Sequence, residues 1–129
     1  MGSEKHLRGA HVEHCKNTAG MPIVPMTLPE RVYIPMSQHI GAPCKPIVNV
    51  GDHVKLGQLI GEAVAPVSSP IHASVSGEVE AIDVFMTQSG RLDTNIVIKT
   101  DGRQEFADTV VPPVINSRED FLAAVRASG

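Results

Sequence analysis

A mainly β fold, a small antiparallel barrel or sandwich with one short C-terminal helix, is what this sequence predicts, and three observations predict it. Apolar residues recur in short alternating runs rich in Val and Ile, among them Arg31–Met36 and Asn95–Thr100. That period of two is the pattern of a half-buried strand. Glycine and proline punctuate the chain throughout, 11 and 10 of them in 129 residues, so elements must be short and turns many. No strand–helix–strand alternation appears, which argues against a parallel α/β sheet. The length suits one domain with tails. Aromatic residues make up only 3% and tryptophan is absent, so the core is left to Val, Ile, Leu, Met and Ala.

Residues 1–28 form an irregular lead-in rich in His and Pro, in which Ile23-Val24-Pro25-Met26 offers at most an edge strand. Glu30–Met36 reads as a strand with Val32 and Ile34 on one face and Tyr33 on the other. A loop punctuated by Gly41, Pro43 and Pro46 follows, then a short strand over Ile47–Val50. Gly51-Asp52 turns the chain, His53–Leu56 forms a strand, Gly57-Gln58 turns it again, and Leu59–Val64 is the next strand. After "APVSSP", Ile71–Val75 runs into Ser76-Gly77, read as a tight turn. Glu78–Met86 then resumes alternation with Val79, Ala81 and Ile82 inward, and "TQSGRLDT" is a polar hairpin tip. Residues 29–108 thus make the β domain.

Residues 109–129 are an extended segment and a helix. Pro112-Pro113 forbids helix there. Ser117 is placed as an N-cap with Asp120 three residues on, a capping-box-like start. Glu119 and Asp120 suit the positive end of the helix dipole and Arg126 the negative end. Phe121, Leu122 and Val125 form its apolar stripe. At about three turns the helix is too short to stand alone. It must dock on the barrel or against a further domain.

Several function classes are disfavoured. Net charge is −3 with no basic stripe, so nucleic acid is not an expected partner. No run approaches a membrane span, and two distant cysteines give no disulfide framework, which fits a reducing compartment. His11, His14 and Cys15 in "HVEHC" are the candidate metal ligands, with His39 or Cys44 as distant completers. No second closely spaced pair accompanies them, so the segment reads as a solvated or docking loop. Ser37, Ser68, Ser69 and Ser76 lack a nucleophile-elbow context and read as turn residues. Gly51, Gly57, Gly61 and Gly77 read as turn or bulge glycines, since no helix follows to make a phosphate cradle.

"VNVGDHVKLGQLIGEA" and "SPIHASVSGEVEAI" resemble the two halves of a biotinyl/lipoyl motif. The resemblance implies a barrel-sandwich hybrid of the biotinyl/lipoyl-carrier type. In such carriers a lysine at a hairpin tip holds the cofactor, yet "VAPVSSPIH" between the halves contains none. The architecture is expected without covalent carriage.

The longer run from Arg31 to Ile82, with "IPMSQHIGAP", "VGDHVKLGQLIG" and "SPIHASVSG", closely resembles the N-terminal domain of the RnfC family. The lead-in "LRGAHVEHCKNTAG" resembles the family's start, with Ala10 where a second glycine is common. The resemblance implies a non-catalytic domain of the electron-transfer subunit of a membrane-associated, ion-translocating ferredoxin:NAD oxidoreductase. Ser37, Gln38, His39, Gly41, Pro43, His72, Ser76 and Gly77 are its signature and docking residues. The family's flavin mononucleotide, NADH and two 4Fe–4S clusters are expected on parts of the subunit outside this chain. So are its partners, the flavin/NADH domain and other Rnf subunits. Location at the cytoplasmic face of the bacterial membrane, peripheral and without a span, follows from the same resemblance. Two other readings stay open: an RnfC-like cobalamin-reductase subunit of a microcompartment, and a stand-alone lysine-less module binding a small ligand or metal.

Overall fold

The computed structural model describes residues 13–87 and 90–129. In chain order its elements are β1 (Arg31–Pro35), β2 (Lys45–Pro46), β3 (His53–Val54), β4 (Leu59–Glu62), β5 (Ile71–His72), β6 (Gly77–Met86), β7 (Leu92–Thr100) and α1 (Arg118–Ser128). They form two sheets, β1-β7-β6-β3 and β2-β4-β5, and every strand pairing is antiparallel. The larger sheet turns Ile34, Val54, Val79, Ile96 and Ile98 inward. The smaller supplies Ile60 and Ile71, and Met36, Cys44 and Val48 close the same core from the loops. This is the expected barrel-sandwich hybrid, filled by β-branched residues that suit a pleated surface.

The two Gly-polar pairs explain the cadence of Val50–Gly61. Gly51 and Gly57 sit at φ +92° and +79°, the left-handed region that only glycine enters freely. Each is followed by a side chain that reaches back three residues. Asp52 Oδ2 accepts from the Asn49 amide at 2.7 Å, and Gln58 Oε1 from the Lys55 amide at 3.0 Å. One device thus turns the chain twice and satisfies backbone donors that no strand would.

The long hairpin β6–β7 contains a bulge between Val79 and Ala81. A bulge adds a residue and resets the alternation, which is why both Val79 and Ile82 face the core. The extra residue, Glu80, reaches back across β7, where Arg31 Nε and Nη2 donate to its two carboxylate oxygens at 2.5 and 3.0 Å.

Several sequence expectations are corrected. Ile23–Met26 is not a strand; Ile23, Val24 and Met26 are exposed, because Pro22 and Pro25 remove the donors that would pair it. The strand expected at Ile47–Val50 lies instead at Lys45–Pro46, opposite Glu62 and Gly61. Beyond Ile47, whose amide donates to the Ile60 carbonyl at 3.0 Å, the Asn49–Asp52 turn draws the chain away. Strands β3, β4 and β5 are shorter than their apolar runs.

Ser76-Gly77 is not a turn: Gly77 opens β6 and pairs with Thr100 and Val54. Its glycine is required by proximity, since an added Cβ would meet the Lys99 carbonyl well inside contact distance. Gly77→Ala is therefore expected to destabilise by about 1–3 kcal/mol through forced separation of β6 from β7. Gly20→Ala, with open space around it, should be close to neutral. Urea midpoints of the two variants check this, and equal midpoints would contradict it.

Candidate functional site

The signature loop after β1 is folded round one buried thiol. Cys44 Sγ donates to the Ser69 carbonyl at 2.9 Å and lies 3.5 Å from His39 Nε2. Ser68 Oγ donates to the Ala42 carbonyl at 2.9 Å, and the Ala42 amide donates to the Val67 carbonyl, also at 2.9 Å. Gly41, at φ +115°, passes so close to Val67 that no Cβ would fit. Gln38 Nε2 caps the Pro35 carbonyl at 3.1 Å. The loop carrying Ser37, Gln38, His39, Gly41 and Pro43 is thereby stapled to Val67–Pro70, with Ser37, Gln38 and Gly41 left exposed and Pro43 exposed beside them. Cys44 is inward and Lys45 outward, as adjacent residues on an extended chain must be.

Gln38, His39 and His72 line one open cleft with Ser69, Pro70, Ser128 and Gly129. His72 also lines a neighbouring cleft of about 750 Å³ with Gly57, the segment Thr109–Pro113, Ala124 and Ala127. His72 is thus the meeting point of barrel, C-terminal strap and helix. Helix α1 begins as its sequence requires: Ser117 Oγ accepts from the Asp120 amide at 3.0 Å, while Asp120 Oδ2 accepts from the Asn116 amide at 3.1 Å. The Asn116 amide, and after it the Ser117 side chain, holds the Asp120 carboxyl below its usual range. Small residues face the cleft, and the apolar stripe does not: Phe121, Leu122 and Val125 are 52%, 42% and 53% exposed. The strap adds exposed Val111, Val114 and Ile115.

Ser76 and Gly77 belong to a different cluster. Ser76, expected as a turn residue, is completely buried. Its hydroxyl donates to Asp101 Oδ1 at 2.7 Å and accepts from the Glu105 amide at 3.1 Å. The Arg103 amide donates to the same Asp101 oxygen at 2.8 Å, and His53 Nε2 lies 3.0 Å from Oδ2. In a nucleophilic triad the imidazole stands between hydroxyl and carboxylate and takes the hydroxyl proton. Here the carboxylate stands between, and the imidazole does not reach the Ser76 hydroxyl. The arrangement is a clamp closing the end of β6–β7 on the segment after β7. Linear spacing gives no sign of it, since Asp101 lies 25 residues from Ser76.

His11 lies outside the described residues. His14 and Cys15 are exposed on an irregular segment, and among the described residues no group of three His, Cys, Asp or Glu side chains is placed to share a metal. Cysteine chemistry does not fit a 4Fe–4S cluster either: Cys15 is exposed, Cys44 is enclosed, and four thiolate-type ligands are needed. Dinucleotide phosphates favour a helix N-terminus with free amides, but that of α1 already carries the Asp120 carboxylate.

Burial decides which of these contacts matters most. Arg31–Glu80 and Lys55–Glu105 are solvent-facing pairs and are screened, whereas the Ser76 hydroxyl has no water to replace its partners. Ser76→Ala is expected to cost about 1–3 kcal/mol at neutral pH. Asp101 is held down to about 2 from 3.8, first by Ser76, then by the Arg103 amide and His53. A carboxyl depressed in the folded state stabilises above its unfolded value and loses that contribution as pH falls through the folded one. The destabilisation caused by Asp101→Asn should therefore be fully developed at neutral pH and shrink between pH 3.8 and about 2. Urea midpoints across that range check it; a deficit constant with pH would contradict the clamp.

Comparison with known proteins adds the relationship. The chain is 47% identical over 107 residues to the C subunit of the Na(+)-translocating ferredoxin:NAD(+) oxidoreductase complex of Acetobacterium woodii, covering 82% of this chain and 23% of that protein. It is 39% identical over 126 residues to the C subunit of the proton-translocating ferredoxin:NAD(+) oxidoreductase complex of Clostridium ljungdahlii, covering 94% and 27%. The C subunit of the ion-translocating oxidoreductase complex of Rhodobacter capsulatus is 36% identical over 126 residues, covering 94% and 24%. The chain therefore spans about a quarter of the length of these relatives. A family model described as the RnfC barrel sandwich hybrid domain matches residues 5–103. With the two-sheet sandwich already described, these matches show that the chain belongs to the RnfC barrel-sandwich hybrid family.

Proposed function

We propose that this chain is the N-terminal, non-catalytic domain of the RnfC-type electron-transfer component of an ion-translocating ferredoxin:NAD oxidoreductase complex. Its role is to dock against the flavin/NADH domain of the same subunit. In this reading residues 29–108 are the hybrid domain, and residues 109–129 are the connection through which it joins the remainder. The observation that carries the proposal is the uncovered apolar surface of that connection. Phe121, Leu122 and Val125 share one helix face, and Val111, Val114 and Ile115 lie on the strap beside it. A short helix derives its stability from burying such a face. Here Ala124, Ala127 and Ser128 line the cleft towards the barrel, and no residue of α1 is buried.

Flavin mononucleotide, NADH and the two 4Fe–4S clusters belong, in this reading, to the remainder of the subunit, for the residues present here do not suit them. Contacts with other Rnf subunits, and a peripheral position at the cytoplasmic face of the membrane, would be those of the whole complex. Among the described residues no helix is long and apolar enough to cross a membrane.

Hydrogen exchange compared between this chain and the full-length subunit tests the docking. Amides of 118–128 should exchange at least about tenfold more slowly in the full subunit, where the stripe is covered. Leu122→Asp with Val125→Asp in the full subunit should abolish that protection. Equal exchange in both proteins would sink the proposal.

A further inference from the structure

The far end of the β6–β7 hairpin carries a second surface, independent of the strap and helix. Asp93, opposite Phe85 in the β6–β7 register, is 9% exposed, and its Oδ2 is enclosed with no hydrogen-bond partner among the described residues. Asp93 lines a cleft of about 320 Å³ with Ser37, Gly41, Pro43, Thr87, Arg91 and Leu92. Three of these are the signature residues of the loop after β1. A second cleft shares Ser37 and Thr87 with the first and is walled by Tyr33, Pro35, Phe85 and Met86. Tyr33 and Phe85 meet edge to face, with ring centroids 5.4 Å apart at 89°. Tyr33 and Met86 are largely exposed.

A carboxylate oxygen enclosed without a donor is costly, and the cost is relieved when a cation arrives. One carboxylate does not make a metal site, since hard divalent cations take six or more oxygen ligands. A guanidinium supplies planar, paired donors to a single carboxylate and leaves its neighbours free to pack on the adjoining rings. Arg91 lies at the rim. Its main chain is tied back, its carbonyl accepting from the Thr87 amide at 2.7 Å, and its guanidinium makes no ion pair among the described residues. We propose that this two-part cleft is a protein-docking site that takes an arginine-bearing segment of a partner. The guanidinium sits on Asp93, and apolar side chains flanking it sit on Tyr33, Phe85 and Met86.

Amide NMR spectra of the chain titrated with the peptide acetyl-Leu-Arg-Leu-amide test this. Shifts should be confined to residues around 33–37, 85–87 and 91–95. Asp93→Asn should bind about tenfold more weakly, as should the unaltered chain with citrulline in place of arginine. The citrulline arm keeps the test independent of any folding defect in the variant. Arg91→Ala should bind at least as tightly as the unaltered chain. No localised shifts, or equal affinity for the arginine and citrulline peptides, would overturn the proposal. So would binding seen only in Arg91→Ala, because Arg91 would then be the natural occupant.

Discussion

Pairing between β6 and β7 sets the register on which the larger sheet and both ends of its long hairpin are built. Val79 lies opposite Ile98 and Ile82 opposite Ile96, and the bulge between Val79 and Ala81 brings both β6 residues to the core side. Without that extra residue, every side chain beyond it would change faces. Strand β1 then adds to the free edge of β7, and β3 to that of β6. At one end Gly77 lets the strands close on Lys99, and Ser76 fastens Asp101 and Glu105. At the other, Phe85 and Asp93 lie beside the signature loop. A slip of one residue would bury Asp83 and Glu80 and disconnect both ends at once.

What the sequence disclosed follows from what kind of signal each element carried. Alternation in Glu30–Met36 and Asn95–Thr100 is a local property, and both runs supply strands, although β7 starts at Leu92, inside the run read as a hairpin tip. The N-cap at Ser117 is also local, and its partner Asp120 lies three residues away. The two-residue strands were misjudged because their length is decided by the turns beside them. Asn49 pairs with Asp52 rather than with β4, a competition invisible in apolar pattern. Gly77 looked like a turn glycine, yet its requirement is set by Lys99 across the sheet.

The clusters were harder to see than the strands for the same reason. Ser76 meets Asp101, Cys44 meets Ser69, and Asp93 meets the loop at Ser37–Pro43. Each joins residues separated by tens of positions, with no fixed spacing to betray it. The resemblance placed Ser37–Pro43, His72 and Ser76-Gly77 in signature runs without saying what they do. The structure divides them by physical task. Gln38, His39 and Gly41 hold the loop, His72 meets the C-terminal strap, and Ser76 and Gly77 close the hairpin.

A scaffold known from covalent carriers is, in this account, used as a docking body. The segment between the two halves of the motif has no lysine, and Ser68 and Ser69 within it are bonded to Ala42 and Cys44. Lys55, the lysine within the motif's first half, stands apart from that segment and pairs with Glu105 at 2.6 Å. The most direct measurement is the intact mass of the chain produced in cells expressing biotin- and lipoate-attaching enzymes. A docking body that carries no cofactor has a mass explained by the polypeptide alone. A stoichiometric biotinyl or lipoyl increment on any lysine would contradict it and return the domain to the carriers it resembles.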